Sequence, residues 1–410
     1  MRKSIVIFLT FLLLLVLVFP VGSQETIKVG ALFSLTGALA PYGPPIVNGA
    51  KLAVMQINEA GGVLGKKLEL VIRDTATAPA VGRDAASKLI DLDKVVAIIG
   101  ALSSGVTVAS SSITIPAGVI LISPASTSPM LTDLEDNDFV FRTCLSDALQ
   151  GVVQAQLALN LGYKTASVIY VNNPYGKGLA QVFKTRYEAG GGKVVAMISY
   201  EEGKPSYRGE VESAITKNPD VINLIGYPVD GNKMLVEAVE AGYQGDFLFS
   251  DGMKGEAVAA GPAAEYIEGT FGTAPGALEV AVAEDFEKDY IAAFGASTVP
   301  FRQQCYDALA LIALAIQKTG PSFLNMSQKE RARAIRDNLR DVANPPGEPV
   351  TYNEFSRAFD LLSKGVDINY QGVSGPITFD KHGDVIEGAI EIWQNFEGRA
   401  RTIWVVEVGR

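Results

Sequence analysis

The chain has 410 residues, 48% of them hydrophobic and 20% charged, with a formal charge of −10. That balance excludes a disordered polymer, and the acidic surplus argues against nucleic acid or an anionic membrane as the partner. A single histidine, His382, leaves no base for a His-dependent triad except on a turn near the C-terminus.

In chain order the first element is an export signal. Arg2 and Lys3 precede an apolar stretch from Ile5 to Phe19, and Val21-Gly22-Ser23 offers the small residues that a signal peptidase reads. Residues 1–23 are therefore expected to be cleaved before Gln24. No Cys follows the stretch, which argues against a lipid anchor, and the longest later apolar run, Ala308 to Ile316, is too short to span a bilayer and reads as a buried helix. Cleavage removes two positive charges, so −10 becomes −12, and leaves about 390 residues, a length suited to two lobes.

Ile27 to Phe33 reads as a strand, followed by a helix near Val47 to Asn58, a strand at Leu68 to Arg73 and a helix near Ala80 to Leu92. Strands at Val95 to Ile99, Val119 to Ile122 and Phe139 to Arg142 come next, then a helix near Ala148 to Leu161. The alternation continues through a strand at Ala166 to Val171, a helix near Leu179 to Tyr187, and strands at Lys193 to Ser199, Val221 to Ile225 and Phe247 to Phe249. Such alternation predicts an α/β fold of parallel sheets flanked by helices. Glu59-Ala60-Gly61, Glu188-Ala189-Gly190 and Glu240-Ala241-Gly242 each end a helical stretch before a strand, with glycine supplying the left-handed residue that stops it. The last third is more helical, near Val282 to Phe294, Asp307 to Thr319, Gln328 to Leu339 and Asn353 to Leu362, and closes with strands at Pro376 to Phe379, Gly388 to Gln394 and Arg401 to Val408.

Two hydroxyl-rich clusters, Gly100-Ala101-Leu102-Ser103-Ser104-Gly105 and Ser123-Pro124-Ala125-Ser126-Thr127-Ser128-Pro129, each follow a buried-strand run. Small polar residues after such strands lie where α/β sheets leave room for a ligand, and hydroxyls with free backbone N–H groups suit a carboxylate or phosphate. Helix capping is the other reading of the same hydroxyls. No G-x-S-x-G elbow occurs, and Gly62-Val63-Leu64-Gly65-Lys66-Lys67 has the wrong spacing for a phosphate loop. Asp133, Glu135, Asp136 and Asp138 form an acidic patch without the glycine of a dedicated calcium loop, so no metal site is assigned. Cys144 and Cys305 are either a disulfide or two buried free thiols.

The landmarks I-K-V-G-A-L-F-S-L-T-G from Ile27, G-A-L-S-S-G, I-S-P-A-S-T-S-P, F-R-T-C-L-S-D from Phe141, N-N-P-Y-G-K-G from Asn172, Y-D-A-L from Tyr306 and G-P-I-T-F-D-K-H-G-D from Gly375 run through the whole mature chain. In order and spacing they resemble the leucine/isoleucine/valine-binding family of periplasmic solute-binding proteins, which serve ABC importers. The resemblance implies a type I periplasmic binding protein fold, two lobes joined by three crossovers. Lobe one would take residues 24–144 and 272–385, and lobe two 145–271 and 386–410.

Carried over residue by residue, Ser104 and Thr127 fall where the family binds an α-carboxylate, with Ser126 beside them, and Ala125 where a backbone carbonyl accepts from the α-ammonium. Tyr175, Tyr227 and Asp251 would approach from lobe two, Asp251 as the acidic partner of the ammonium. Tyr42 resembles the aromatic residue that lines the side-chain pocket, or else is a packed loop aromatic. The implied protein is a non-enzymatic, monomeric, cofactor-free periplasmic binder that hands an amino acid to the membrane subunits of an ABC permease. An aromatic acid, amide or urea-type ligand on the same fold is the alternative. A hydrolase or a sensory ligand-binding domain is a third reading, disfavoured by the missing histidine chemistry and the lack of a C-terminal membrane segment.

Overall fold

The computed structural model describes residues 26–278 and 280–409, so the signal segment expected at residues 1–23 lies outside the described residues. The first half of the chain runs β1 (Ile27–Phe33), α1 (Gly43–Glu59), β2 (Leu68–Asp74), α2 (Pro79–Asp91), β3 (Ala97–Gly100), α3 (Ser104–Ala117), β4 (Ile120–Ser123) and β5 (Val140–Arg142). These strands form one fully parallel sheet in the order β2-β1-β3-β4-β5.

A second α/β body follows: α4 (Asp147–Asn160), β6 (Thr165–Val171), α5 (Pro174–Ala189), β7 (Lys193–Tyr200), α6 (Arg208–Ile215), β8 (Val221–Ile225), α7 (Pro228–Glu240), β9 (Asp246–Phe249), α8 (Glu256–Ala259), α9 (Ala264–Ile267) and β10 (Phe271–Gly276). The chain then returns to the first body as α10 (Ala283–Phe294), α11 (Arg302–Thr319), α12 (Gln328–Ala343), β11 (Glu348–Val350), α13 (Phe355–Ser363), β12 (Ile368–Gly372) and β13 (Gly375–Pro376), and crosses back as β14 (Gly388–Phe396) and β15 (Arg399–Val408).

The second sheet has the order β15-β14-β10-β9-β8-β6-β7. Its strands β6 to β10 are parallel, while β14 and β15 add an antiparallel hairpin at one edge, a feature the βα rhythm did not announce. Because β10 pairs with β9 and β14, it belongs to the second sheet. The return crossover therefore follows Gly276, later than the expected boundary at 272.

Several helices start earlier than their apolar periodicity predicts. Prolines occupy the first turns of α1 and α5, where no backbone donor is needed, and Asn173 Oδ1 caps α5 by accepting from Gly176 N at 3.0 Å. Gly61 and Gly242 take the left-handed conformation expected of them (φ 101° and 77°), but Gly190 does not: its φ is −84°, and Gly191 turns the chain instead at φ 93°. The apolar run Ala308 to Ile316 is the middle of α11, whose residues from Gln304 to Ile316 are all buried against α1, α12 and the underside of β3 and β4. His382 lies in the turn between the bridged Phe379 and Val385, its N–H bonded to Asp380 Oδ1.

Candidate functional site

The carboxyl ends of β3 and β4 in the first sheet face those of β6, β8 and β9 in the second, and the loops leaving these ends close in on a narrow chamber whose free space is only about 20 Å³. Tyr42, Ser104 and Ala125 line it from the first body, Tyr175, Tyr227 and Asp251 from the second. Leu39, Ile46, Leu102 and Phe301 complete an apolar side. Phe301, missed in the sequence, reaches the chamber from the residue before α11, where its own φ is 70°.

Two expected residues, Ser126 and Thr127, are not on this wall. The Ser126 hydroxyl is turned into the scaffold, 2.7 Å from Thr107 Oγ1 and 3.1 Å from the Ala101 carbonyl, and Ser123 Oγ donates to the same carbonyl at 2.6 Å. Thr127 Oγ1 donates to Asp147 Oδ2 at 3.0 Å, while its carbonyl accepts from Asp147 N at 2.8 Å. The clusters thus divide their labour: Ser104 faces the chamber, while Ser123, Ser126 and Thr107 tie the two loops together. Buried Arg142 fixes the second loop from below, donating to the carbonyls of Ser126 and Ser128 at 3.3 and 2.9 Å and pairing with Asp384 at 2.6 Å.

Asp251 is only 4% exposed. Its Oδ1 accepts from the Tyr175 hydroxyl at 2.7 Å and from Gln150 Nε2 at 3.0 Å; Tyr175 in turn lies 2.8 Å from Ser250 Oγ and accepts from Gly252 N–H. Gly252 is required here, since a Cβ would stand 2.2 Å from the Gly226 carbonyl. Burial pushes the Asp251 carboxyl up to about 6, against the bonds from Tyr175 and Gln150 that favour its charge. Asp147, fully buried at the first turn of α4, is also pushed well above the usual carboxylate range, by burial and then by the charge of Asp251. Its Oδ1 and the Oε1 of Gln150 have no hydrogen-bond partner among the described residues. Asp147 and Gln150 were missed because Ser146-Asp147 reads simply as a helix start; only the packing of α4 against the second hydroxyl cluster gives them their place.

Hydrogen bonds cross the chamber directly. The Tyr42 hydroxyl reaches the carbonyls of Asp251, at 3.0 Å, and Lys254; Ser128 Oγ donates to the Pro174 carbonyl at 2.8 Å; Ser103 Oγ and the Tyr227 hydroxyl are 3.3 Å apart. Tyr175 and Tyr227 stack with centroids 5.7 Å apart, and Asn173 Nδ2 donates to the Tyr227 hydroxyl at 3.0 Å. Away from the chamber, Cys144 and Cys305 are buried free thiols, so the disulfide alternative does not hold in this structure. Burial raises both thiols far above their ordinary value, which keeps them protonated. In the acidic patch Asp138 is paired with Arg340 at 2.7 Å, and Asp136 accepts from the backbone of Asp138 and Val140.

Two α/β bodies linked by three crossovers, with a small mixed-polarity chamber at the facing strand ends, define a two-lobed binding protein that closes over a small molecule. The chain belongs to the periplasmic binding protein family, whose model matches residues 26–358. It is 30% identical to the Leu/Ile/Val-binding protein homolog 3 of Brucella melitensis over 362 residues, covering 85% of this chain and 92% of that protein. Among solved structures it is similar to the leucine-binding protein LivK of Thermotoga maritima, with a TM-score of 0.77 and 26% identity over 93% of this chain and 99% of that one. It is likewise similar to LivJ of Streptococcus pneumoniae, solved in complex with isoleucine, with a TM-score of 0.76 and 26% identity over 94% of this chain and 100% of that one.

Proposed function

We propose that the protein is the extracytoplasmic solute-binding component of an ABC importer and that it closes on an aliphatic amino acid. The observation that carries this reading is the opposed polarity of the chamber: hydroxyl and backbone groups around Ser104 and Ala125 on one side, the Asp251 carboxylate on the other, and an apolar wall between them. A zwitterion with a hydrocarbon side chain complements all three. Ser104 and the backbone of the second cluster take the α-carboxylate; the Ala125 carbonyl and Asp251 take the ammonium; Leu39, Tyr42, Ile46, Leu102 and Phe301 bury the side chain. Thr127 acts through Asp147, as a positioning residue. Relatives named for leucine, isoleucine and valine binding support the same ligand class.

Lobe one is taken as residues 26–142 with 283–376, and lobe two as 147–276 with 388–408, the connecting segments serving as hinges. Contacts with both lobes exist together only when the lobes meet, so the ligand favours the closed form by its differential affinity. The export signal at residues 1–23 would place the mature monomer in the periplasm, where membrane subunits of the permease read the closed form. No residue is assigned a catalytic role.

Calorimetric titration with leucine, isoleucine, valine, 4-methylpentanoate, benzoate and urea tests the reading. Binding by the amino acids alone, each recovered intact, is the expected result. Equal binding of 4-methylpentanoate, which is leucine without its amino group, overturns the ammonium assignment, and preferential binding of benzoate overturns the ligand class.

A further inference from the structure

Beside the ligand chamber, with Phe301 in the wall of both, a wider groove of about 610 Å³ opens to solvent. It runs between the loop entering α11, the hairpin β14–β15 and the crossover that begins at Gly276. We propose that this groove is a second binding site, for a small organic anion bearing a hydroxyl or amino donor, and that its occupant bridges the two lobes.

Charge is the first ground. Lys254, Arg302, Arg399 and Arg401 line the groove against two carboxylates, Glu287 and Glu391, a positive surplus on a chain whose formal charge is −10. Two of the cations are already neutralised: Lys254 pairs with Glu391, both nine-tenths buried, and Arg302 pairs with Glu287 at 2.9 Å. Arg399 makes no ion pair among the described residues, and the one partner of Arg401, Glu397, is exposed and stands outside the groove. Arg399 therefore supplies positive charge that no carboxylate compensates, while Arg401, held by Glu397 at 2.6 Å, adds a guanidinium face to the same wall. The 18-residue α11 starts here as well, without a side-chain cap, and the positive end of its dipole adds to theirs.

The second ground is unmet hydrogen bonding. Gln304 is 3% exposed; its Nε2 donates to the Gly276 carbonyl at 3.1 Å, while its Oε1 has no partner. Thr298 Oγ1, on the same wall, is buried and unpartnered too. A buried amide oxygen left without a donor costs free energy that a ligand O–H or N–H would recover. A cationic groove with unpartnered acceptors in its wall matches a hydroxy- or amino-carboxylate better than a bare inorganic anion.

The position gives the site a consequence. Arg399 and Arg401 belong to the second sheet's hairpin, whereas Gln304 and Arg302 belong to the first body, so one molecule touching both resists lobe separation. The groove also shares Lys254 with the closing contacts, because its backbone carbonyl receives the Tyr42 hydroxyl. By linkage, an anion that favours closure and a ligand in the chamber tighten each other's binding by the same factor.

The test uses the mature full-length chain, calorimetric titration at constant ionic strength, and citrate and tricarballylate as probes, which differ by one hydroxyl. Citrate is expected to bind, tricarballylate at least tenfold more weakly, and Arg399→Glu to weaken citrate at least tenfold with leucine affinity unchanged. Asp251→Asn, which alters the chamber, is expected to leave citrate binding intact, separating this site from the amino-acid site. No citrate binding, or citrate binding unaffected by Arg399→Glu, overturns the site. Equal affinity for tricarballylate overturns the role of Gln304 as acceptor.

Discussion

Replacing Asp251 by Asn is expected to make the protein more stable and a poorer binder at once. Burial raises this carboxyl from 3.8 to about 6, a shift of about two units, and each unit corresponds to about 1.4 kcal/mol. The sign follows from proton binding: between these values the folded state holds the proton and the unfolded state does not. The stabilising contribution of the protonated form is fully present below pH 3.8 and is lost as pH rises through 6. At pH 7.5 the ionised carboxylate thus costs the ligand-free fold on the order of 3 kcal/mol. An amide of the same shape avoids that cost and still offers an oxygen to the Tyr175 hydroxyl and Gln150 Nε2, which lie 2.7 and 3.0 Å from Oδ1. Binding moves the other way, because a charge-assisted hydrogen bond to the ammonium, worth about 1.5–3 kcal/mol, is weakened, a loss of roughly ten- to hundredfold in affinity. Urea unfolding at pH 5 and 7.5 with leucine titration reads both effects. The gain in stability should be largest at pH 7.5 and shrink towards pH 5, and the wild-type affinity should fall below pH 6 while that of Asp251→Asn does not. Lower stability of the variant at pH 7.5, or undiminished leucine affinity, would refute the reasoning.

Arg142→Met removes the guanidinium that pairs with Asp384 and holds the carbonyls of Ser126 and Ser128, leaving a largely buried carboxylate unpaired. A loss of about 3–5 kcal/mol in unfolding free energy is expected, and a change under 1 kcal/mol would remove the anchoring role assigned to it. Tyr175→Phe strips the hydroxyl shared by Ser250, Asp251 and Gly252, and should cost about 1–3 kcal/mol of stability together with amino-acid affinity. Alkylation without reductant should leave the native protein unmodified and give two adducts per chain after unfolding in urea. An unreactive unfolded chain would mean that Cys144 and Cys305 are bridged.

The succession of strands and helices was legible because a parallel βα unit imposes runs of β-branched residues and glycine stops that local sequence carries. The antiparallel edge was not, since nothing in Gly388 to Val408 states which neighbour β14 will choose; that pairing is set by β10, more than a hundred residues earlier. The same distinction governs the site. Tyr175, Tyr227 and Asp251 follow strands directly, so topology alone delivers them to the cleft, whereas the Thr127 hydroxyl is diverted by Asp147, a partner 20 residues away on another element. Phe301 and Gln150 carry no local signal, because their exposure to the chamber network depends on how helices α11 and α4 seat against the opposite loops.

The bonds from Ser128 to Pro174, between Ser103 and Tyr227, and from Tyr42 to the Asp251 carbonyl join the lobes to each other and involve no ligand atom. At about 1 kcal/mol apiece they bias the hinge towards the shut form by roughly two powers of ten. A permease that recognises shape would therefore meet shut but unladen copies, and each such visit occupies the transporter without delivering cargo. On the proposed function, the hydroxyls of Ser103, Tyr42 and Ser128 would set the idling rate of the importer: strengthening them would tighten capture at scarce solute, and removing one would raise the fraction of dockings that end in transport.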